Sequence, residues 1–241
     1  MKVDREAAAE VIRRAREAGR TALGDLEARG VMEAYGLRLP GNKLATSANE
    51  AVQFAREIGY PVVMKIVSPD ILHKSDAGGV RVGVQDDAEV LAAYKAIRAN
   101  ALRYKRDADV WGVAVQEMVK PGREVILGVT HDPQFGHLVM FGLGGIYVEV
   151  LKDVSFRVAP LTPSQAETMV HEIRSFPLLA GVRGQPPADL AAIVDALLRV
   201  SQLVTDFPEI IELDVNPLVV NPAGGGATAV DARIILTGEN H

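Results

Sequence analysis

The spacing of apolar residues changes several times along this 241-residue chain, and each change predicts an element. Residues 4–18 are strong helix formers that end at Gly19. Their apolar stripe is thin and mostly alanine, which predicts a helix on the surface or docked on a partner. A second helix is expected from about Leu23 to Tyr35, stopped by Gly36 and barred from continuing by Pro40. Ser47 with Glu50 three residues on reads as a capping box, opening a helix that runs through Ile58 and closes at Gly59. The β-branched run from Val62 to Val67 then predicts a strand, with Val80 to Val84 as its partner. Asp86 or Asp87 caps a further helix to about Arg103, its apolar residues Val90, Leu91, Tyr94, Ile97 and Ala101 lying at helical spacing.

From Trp111 the pattern becomes one of strands. Residues 113–119, 124–130 and 137–141 are expected to be antiparallel neighbours, with a turn at Asp132–Gly136 between the last two. A glycine loop at 141–145 leads to a strand at 154–159, then to helices near 164–174 and 187–205. Strands at 210–215, 217–220 and 227–236 close the chain. Helices and strands mix in both halves, without repeats or a low-complexity linker, so the expected fold class is α/β (α+β) in two packed subdomains.

Composition narrows the chemistry. Hydrophobic content is 48%, charged content 24% and the formal net charge −5, which suits a globular protein and argues against a nucleic-acid footprint. There is no cysteine, which removes disulfides, zinc–thiolate sites and thiol catalysis, and fits a reducing compartment. No apolar run approaches the roughly 18 residues of a membrane span. The N-terminus lacks the apolar core of a secretory signal, so the expected address is the cytoplasm, without membrane attachment.

Two glycine-rich phosphate motifs are excluded. No Walker-type loop occurs, and after Gly142, Gly144 and Gly145 a dinucleotide-type loop would need a third glycine where Tyr147 stands, with no helix expected to follow. Other segments carry the chemistry. Lys65 emerges from the middle of an apolar strand, where an ammonium needs an anion, although a solvent-facing lysine gives the same pattern. The turn after that strand holds His73 beside Lys74, Ser75 and Asp76, followed by Gly78-Gly79. Histidine can carry a phosphoryl group covalently, and glycine lets backbone approach a phosphate. His131 and His137 bracket a turn and read as surface residues. Glu117, Met118 and Val119 end a strand that runs into Lys120-Pro121-Gly122. Backbone groups there could read an adenine edge and Glu124 a ribose hydroxyl, though a solvated rim of charges is the plainer alternative. Asp214 and Asn216 share one face of a strand at i and i+2, and Asp231 lies in a following strand, an oxygen set suited to Mg²⁺.

The stretches 59–65, 72–80, 122–129, 141–149 and 212–218 together resemble the ATP-grasp superfamily. They are most similar to the β subunit of ADP-forming (NDP-forming) acetyl-CoA/acyl-CoA synthetases, related to the succinyl-CoA synthetase β subunit. The segment Leu-His-Lys-Ser-Asp-Ala-Gly-Gly-Val is the most diagnostic, and the match runs from about residue 22. The resemblance implies an ATP-grasp fold of two subdomains with the nucleotide between them. Residues 1–21 would form a helical extension and 22–241 the ATP-grasp domain, divided at about 40–117 and 118–241.

The resemblance also implies an acid–thiol ligase. In such an enzyme a CoA-binding α subunit forms an acyl phosphate, and the phosphoryl group reaches ADP by way of His73. Lys65 would contact the nucleotide phosphates; Glu117, Met118 and Val119 the adenine; and Glu124 the ribose. Gly144, Gly145 and Glu149 would line the phosphate side, with Arg81 a further candidate. Asn216 and Asp231 would ligate Mg²⁺, with Asp214 close by. The cofactors implied are Mg²⁺ and ATP/ADP, and the assembly an α2β2 heterotetramer. No CoA-binding domain is seen in these residues, so a separate α subunit or a longer fused chain is expected. Two rival functions remain open at this point: an ATP-grasp carboxylate ligase that acts alone, and a regulatory nucleotide-binding module.

Overall fold

A computed structural model describes residues 2–71, 74–182 and 184–238, without the side chains of Ile146 and Glu149. The described chain forms two compact units, residues 40–120 and residues 1–39 with 121–241.

The smaller unit is a four-stranded sheet with two helices. Its elements are β1 (Asn42–Ala45), α3 (Ala48–Ile58), β2 (Val62–Val67), β3 (Val80–Val84), α4 (Asp87–Tyr104) and β4 (Gly112–Glu117). The strand order is β1-β4-β2-β3, and every neighbouring pair is antiparallel. Ser47 caps α3 by accepting from the Glu50 N–H, and the Glu50 carboxylate turns back onto Thr46, taking its N–H at 2.7 Å and its hydroxyl at 2.7 Å. Asp86 caps α4 in the same way. Val62, Met64 and Ile66 on β2, with Val113 and Val115 on β4, form a core with Ala51 and Ala55 of α3 and Val90, Tyr94 and Ile97 of α4.

The larger unit begins with α1 (Arg5–Glu17) and α2 (Asp25–Ala34), and continues after residue 120. Its strands are β5 (Arg123–Asp132), β6 (Gly136–Leu143), β7 (Val154–Val158), β8 (Ile210–Val220), β9 (Ala227–Ala229) and β10 (Ala232–Leu236). The remaining helices are α5 (Ile146–Glu149), α6 (Pro163–Glu172), α7 (Phe176–Ala180) and α8 (Leu190–Asp206). The sheet order is β10-β8-β5-β6-β7, with β9 also on β8. Val125, Leu127 and Val129 of β5 and Val139 and Phe141 of β6 share one core with α6, α8, Met32 and Tyr35. Tyr35 donates its hydroxyl to Asp206 at 2.6 Å, and burial followed by that carboxylate pushes its pKa well above the usual value.

Four features depart from the pattern read in the sequence. Helix α1 buries Ala8, Ile12 and Ala15 in the larger unit's core, because a stripe of methyl groups lets the helix approach closely. Strand β4 pairs with β1 and β2, in a different sheet from β5 and β6, since Pro121-Gly122 carries the chain away between them. The short strand β1 bears only one buried side chain, too little periodicity to recognise. A helical turn, α5, does follow the glycine loop, although none was expected there.

Asp189 ties two elements of the larger unit together. It caps α8 by accepting from the Ala192 N–H at 3.1 Å, and it accepts from the Gly226 N–H at 2.9 Å, which fixes the β8–β9 connection. The bond from Gly226 is the chief reason its carboxyl stays below the ordinary range. A depressed folded pKa means stabilisation at neutral pH that is lost as pH falls through it. We predict that Asp189→Ala lowers unfolding stability by about 1–2 kcal/mol in urea at pH 7, a deficit that shrinks as the solution is acidified.

Candidate functional site

Each sheet packs its helices on one face, and strand alternation turns the next residue to the other. On β2, Met64 and Ile66 enter the core while Lys65 takes the opposite face, half-buried and level with Ala114 of β4. Val63 and Gln116 are a cross-strand pair on the same face, and Asn42 of β1 stands beside Gln116. Gln116 is only 3% exposed, and both amide atoms of Asn42 are buried without a partner among the described residues. The pattern of the chain does not single out these two amides, apart from a glutamine directly after the apolar run Val113–Val115.

Glu117 terminates β4 in an exposed position, with Met118 and Val119 half-buried behind it. Its N–H donates to the Gly41 carbonyl at 2.8 Å, and its carboxylate accepts from the Gly41 N–H at 3.1 Å. The reciprocal pair fixes the end of β4 against Gly41, with Met118 and Val119 following directly. Arg81 is exposed on β3.

His73 lies outside the described residues, but both of its flanks are defined. On the N-terminal side Ile71 is buried in the core, and Asp70 accepts from Lys105 at 2.5 Å and from the Asp109 N–H at 2.7 Å. Lys105, then the Asp109 N–H, holds the Asp70 carboxyl below its ordinary pKa. On the C-terminal side the Gly78 and Gly79 N–H groups bond to the Ser75 and Lys74 carbonyls at 3.0 and 2.7 Å. Gly78 has φ +61°, and Asn100 donates to its carbonyl at 3.0 Å. Gly79 lies where a Cβ would come within 2.5 Å of the Ile66 side chain. Asp76, three residues after His73, is exposed.

In the larger unit the site residues cluster at a break in strand pairing. Val215 of β8 is level with Leu127 of β5, but Leu218 is level with Val125, so β8 carries one more residue than its neighbour over that stretch. Val215 and Leu218 both enter the core, and the bulge at Asn216-Pro217 allows it. On the other side, Ala232 faces Val215 and Ala229 faces Leu218, which leaves Val230-Asp231 opposite Asn216-Pro217. Two hydrogen bonds bridge the break, from the Asn216 N–H to the Asp231 carbonyl at 3.2 Å and from the Val230 N–H to the Pro217 carbonyl at 3.0 Å. Strands expected to be separate at 210–215 and 217–220 are therefore one bulged strand.

Asn216 is exposed and Asp231 half-buried; Asp214 shares the helix-free face and is also half-buried. Burial, and then the nearby Glu212 and Asp231 carboxylates, push the Asp214 carboxyl above its ordinary pKa; Arg233, its cross-strand neighbour, opposes them. A carboxyl raised by its acidic neighbours marks a patch of surplus negative charge, which a divalent cation would relieve. No group of three or more His, Asp or Glu side chains among the described residues is placed to hold a metal ion. Mg²⁺ in general takes one or two carboxylates and completes its octahedron with phosphate oxygens and water.

Glu124 lies one residue into β5 and is exposed. Its carbonyl accepts from the Gly144 N–H at 2.8 Å, and a Cβ on Gly144 would sit 3.2 Å from that oxygen, a close contact that glycine avoids. Gly145 follows with φ +63°. The Glu149 side chain lies outside the described residues.

The ATP-grasp domain family matches residues 14–236. The β subunit of acetate–CoA ligase [ADP-forming] II from Pyrococcus furiosus is 54% identical over 221 residues, covering 91% of this chain and 94% of that one. A crystal structure of a protein from Pyrococcus horikoshii superposes with a TM-score of 0.93 at 51% identity, covering 99% of this chain and all (100%) of that one. An acetyl-coenzyme A synthetase from Ca. Korarchaeum cryptofilum matches with a TM-score of 0.84 at 45% identity, over 95% of this chain and 100% of that one. That structure holds coenzyme A and Mg-AMPPCP, with its phosphohistidine segment described as pointing towards the nucleotide-binding site. This chain belongs to the ATP-grasp domain family, in the group formed by β subunits of ADP-forming acetate–CoA ligases. Its fold is the ATP-grasp fold, mixed α/β with antiparallel sheets.

The Gly79 packing gives a test of the loop's base. Gly79→Ala is predicted to lower stability by about 1–3 kcal/mol, because the added methyl must displace Ile66 from its core position. Chemical denaturation checks this, and an unchanged midpoint would show that the turn can shift without cost.

Proposed function

We infer that this chain is the nucleotide-binding β subunit of an ADP-forming acyl-CoA synthetase. The observation that carries the reading is identity of 54% to an ADP-forming acetate–CoA ligase β subunit over 94% of that protein's length. The net reaction is acyl-CoA + ADP + phosphate ⇌ acid + CoA + ATP, an acid–thiol ligation that requires an α subunit for its CoA chemistry. In the first half, phosphate displaces CoA to give an acyl phosphate on the α subunit. A histidine nitrogen of the α subunit then takes the phosphoryl group and releases the carboxylate, and His73 receives the group from it, one N–P bond breaking as the other forms. In the last step an oxygen of the ADP β-phosphate attacks phosphorus, the N–P bond at His73 breaks, and the P–O bond of ATP forms.

Lys65 meets the nucleotide phosphates with its ammonium; Glu117 and the Met118 and Val119 backbone take the adenine edge, and Glu124 a ribose hydroxyl. The Gly144 and Gly145 backbone lets phosphate oxygens come close. Asn216 and Asp231 hold Mg²⁺, with Asp214 beside them. Bound there, the ion would neutralise developing charge on the transferred phosphoryl group. Ile71 and the Asp70 ion pair on one side, and the Gly78-Gly79 turn on the other, give the His73 segment two fixed ends. An α2β2 assembly in the cytoplasm goes with this reading. The absence of cysteine suits that compartment, and no described helix is long and apolar enough to cross a membrane.

The test is phosphoryl transfer. Incubated with Mg²⁺ and γ-labelled ATP, the chain is expected to acquire an acid-labile, base-stable label, and His73→Asn should lose it entirely. Lys65→Met should reduce the labelling rate by a factor of about 10² or more, through loss of phosphate positioning. Labelling of His73→Asn at the wild-type rate would remove the relay role and favour a carboxylate ligase. Nucleotide binding without labelling, even with an α subunit supplied, would favour a regulatory module.

A further inference from the structure

The far end of the β5–β6 hairpin holds two histidines that the nucleotide chemistry does not use. His131 and His137 are directly opposite each other in the antiparallel register, so their side chains leave the sheet on the same face. By alternation with Val129 and Val139 this is the helix-covered face, opposite to that of Asp214. His131 is exposed and His137 half-buried, their rings nearly perpendicular at 70° and their centroids 5.0 Å apart.

The hydrogen bond at His137 decides its tautomer. Its Nε2 lies 2.6 Å from the Ile210 carbonyl oxygen, which can only accept, so Nε2 carries the proton. In the neutral ring the lone pair is then on Nδ1. Burial lowers the His137 pKa, against the opposing pull of the Ile210 carbonyl, so the neutral form prevails at neutral pH. An imidazole whose far N–H is held by a backbone carbonyl, leaving the other nitrogen bare, is the usual state of a metal-ligating histidine. The ring separation fits as well. With metal–nitrogen bonds of about 2.0–2.1 Å, two imidazole centroids around a tetrahedral ion lie roughly 5.2 Å apart.

We propose that His131 and His137 form a two-histidine site for a borderline divalent transition metal such as Zn²⁺, with water or a small anion filling the remaining positions. The ion would join strands β5 and β6, and through the Ile210 carbonyl it would be braced against β8. Such a site is chemically distinct from the oxygen set at Asn216 and Asp231, because imidazole suits Zn²⁺, Co²⁺ or Ni²⁺ and not Mg²⁺.

The experiment is a titration of the full chain with Co²⁺ and with Zn²⁺, without nucleotide, followed by calorimetry and by Co²⁺ absorption. One ion per chain is expected from this site, with a rise in Tm on addition of Zn²⁺. His131→Asn, a change at an exposed position, should keep the fold, weaken binding by about tenfold or more, and abolish the rise in Tm. His137→Asn should do the same. The double variant His73→Gln/His171→Gln removes two other imidazoles and should leave the titration unchanged. Two results would overturn the proposal: no binding by the wild type at millimolar metal, or equal binding by wild type and His131→Asn. Either would leave the pair as an edge-to-face contact at a hairpin end.

Discussion

The constraint on which the larger unit depends is the extra residue in β8. A strand has period two, so one added residue would ordinarily turn every later side chain to the wrong face. Here Leu213 and Val215 before the bulge, and Leu218 and Val220 after it, all reach the same core. The insertion is absorbed at Asn216-Pro217 on one strand and at Val230-Asp231 opposite, so two polar residues stand opposite each other where the ladder opens. The apolar core is undisturbed, and the helix-free face gains Asn216, Asp231 and the desolvated Asp214. Bulges recur beside functional sites because they re-aim side chains in this way.

The smaller unit uses the other half of the same rule. Its helices cover one face of an antiparallel sheet, and Lys65, Gln116 and Asn42 occupy the opposite one. Where the strands end, tight local bonds replace periodicity: the reciprocal pair of Glu117 with Gly41, and the Asp70 carboxylate that holds Lys105 and the Asp109 N–H. Family membership, the bulged pair and the glycine approaches at Gly79 and Gly144 together make phosphoryl transfer to a nucleotide the reading that best accounts for the chain.

Much of this was legible in the sequence, and what was not has physical reasons. Caps and stops carried the helices: Ser47, Asp86, Gly59 and Gly36 act where their chemistry says they should. The alternation around Lys65 predicted its strand, but the face it takes depends on where α3 and α4 pack. Proline at 217 suggested a break between strands, because a missing N–H ordinarily ends a ladder; a bulge tolerates it. Alternation alone made β4 and β5 neighbours, since Pro121-Gly122 reads equally well as a hairpin turn; only the subdomain division near residue 117 implied by the family resemblance set them apart. Strand β1 and the amides of Asn42 and Gln116 have meaning only once β1 is paired with β4. The buried face of α1 escaped notice because alanine carries little hydrophobic signal while allowing close approach.

The most direct measurement is calorimetric titration of Mg²⁺-ADP into wild type, Asp231→Ala and Glu212→Gln, each checked by urea unfolding. The account predicts that Asp231→Ala weakens Mg²⁺-dependent binding by about tenfold or more with little loss of stability, and that Glu212→Gln binds as wild type. Unaltered binding by Asp231→Ala, or a loss fully explained by unfolding, would contradict the assignment of the bulge as the metal site.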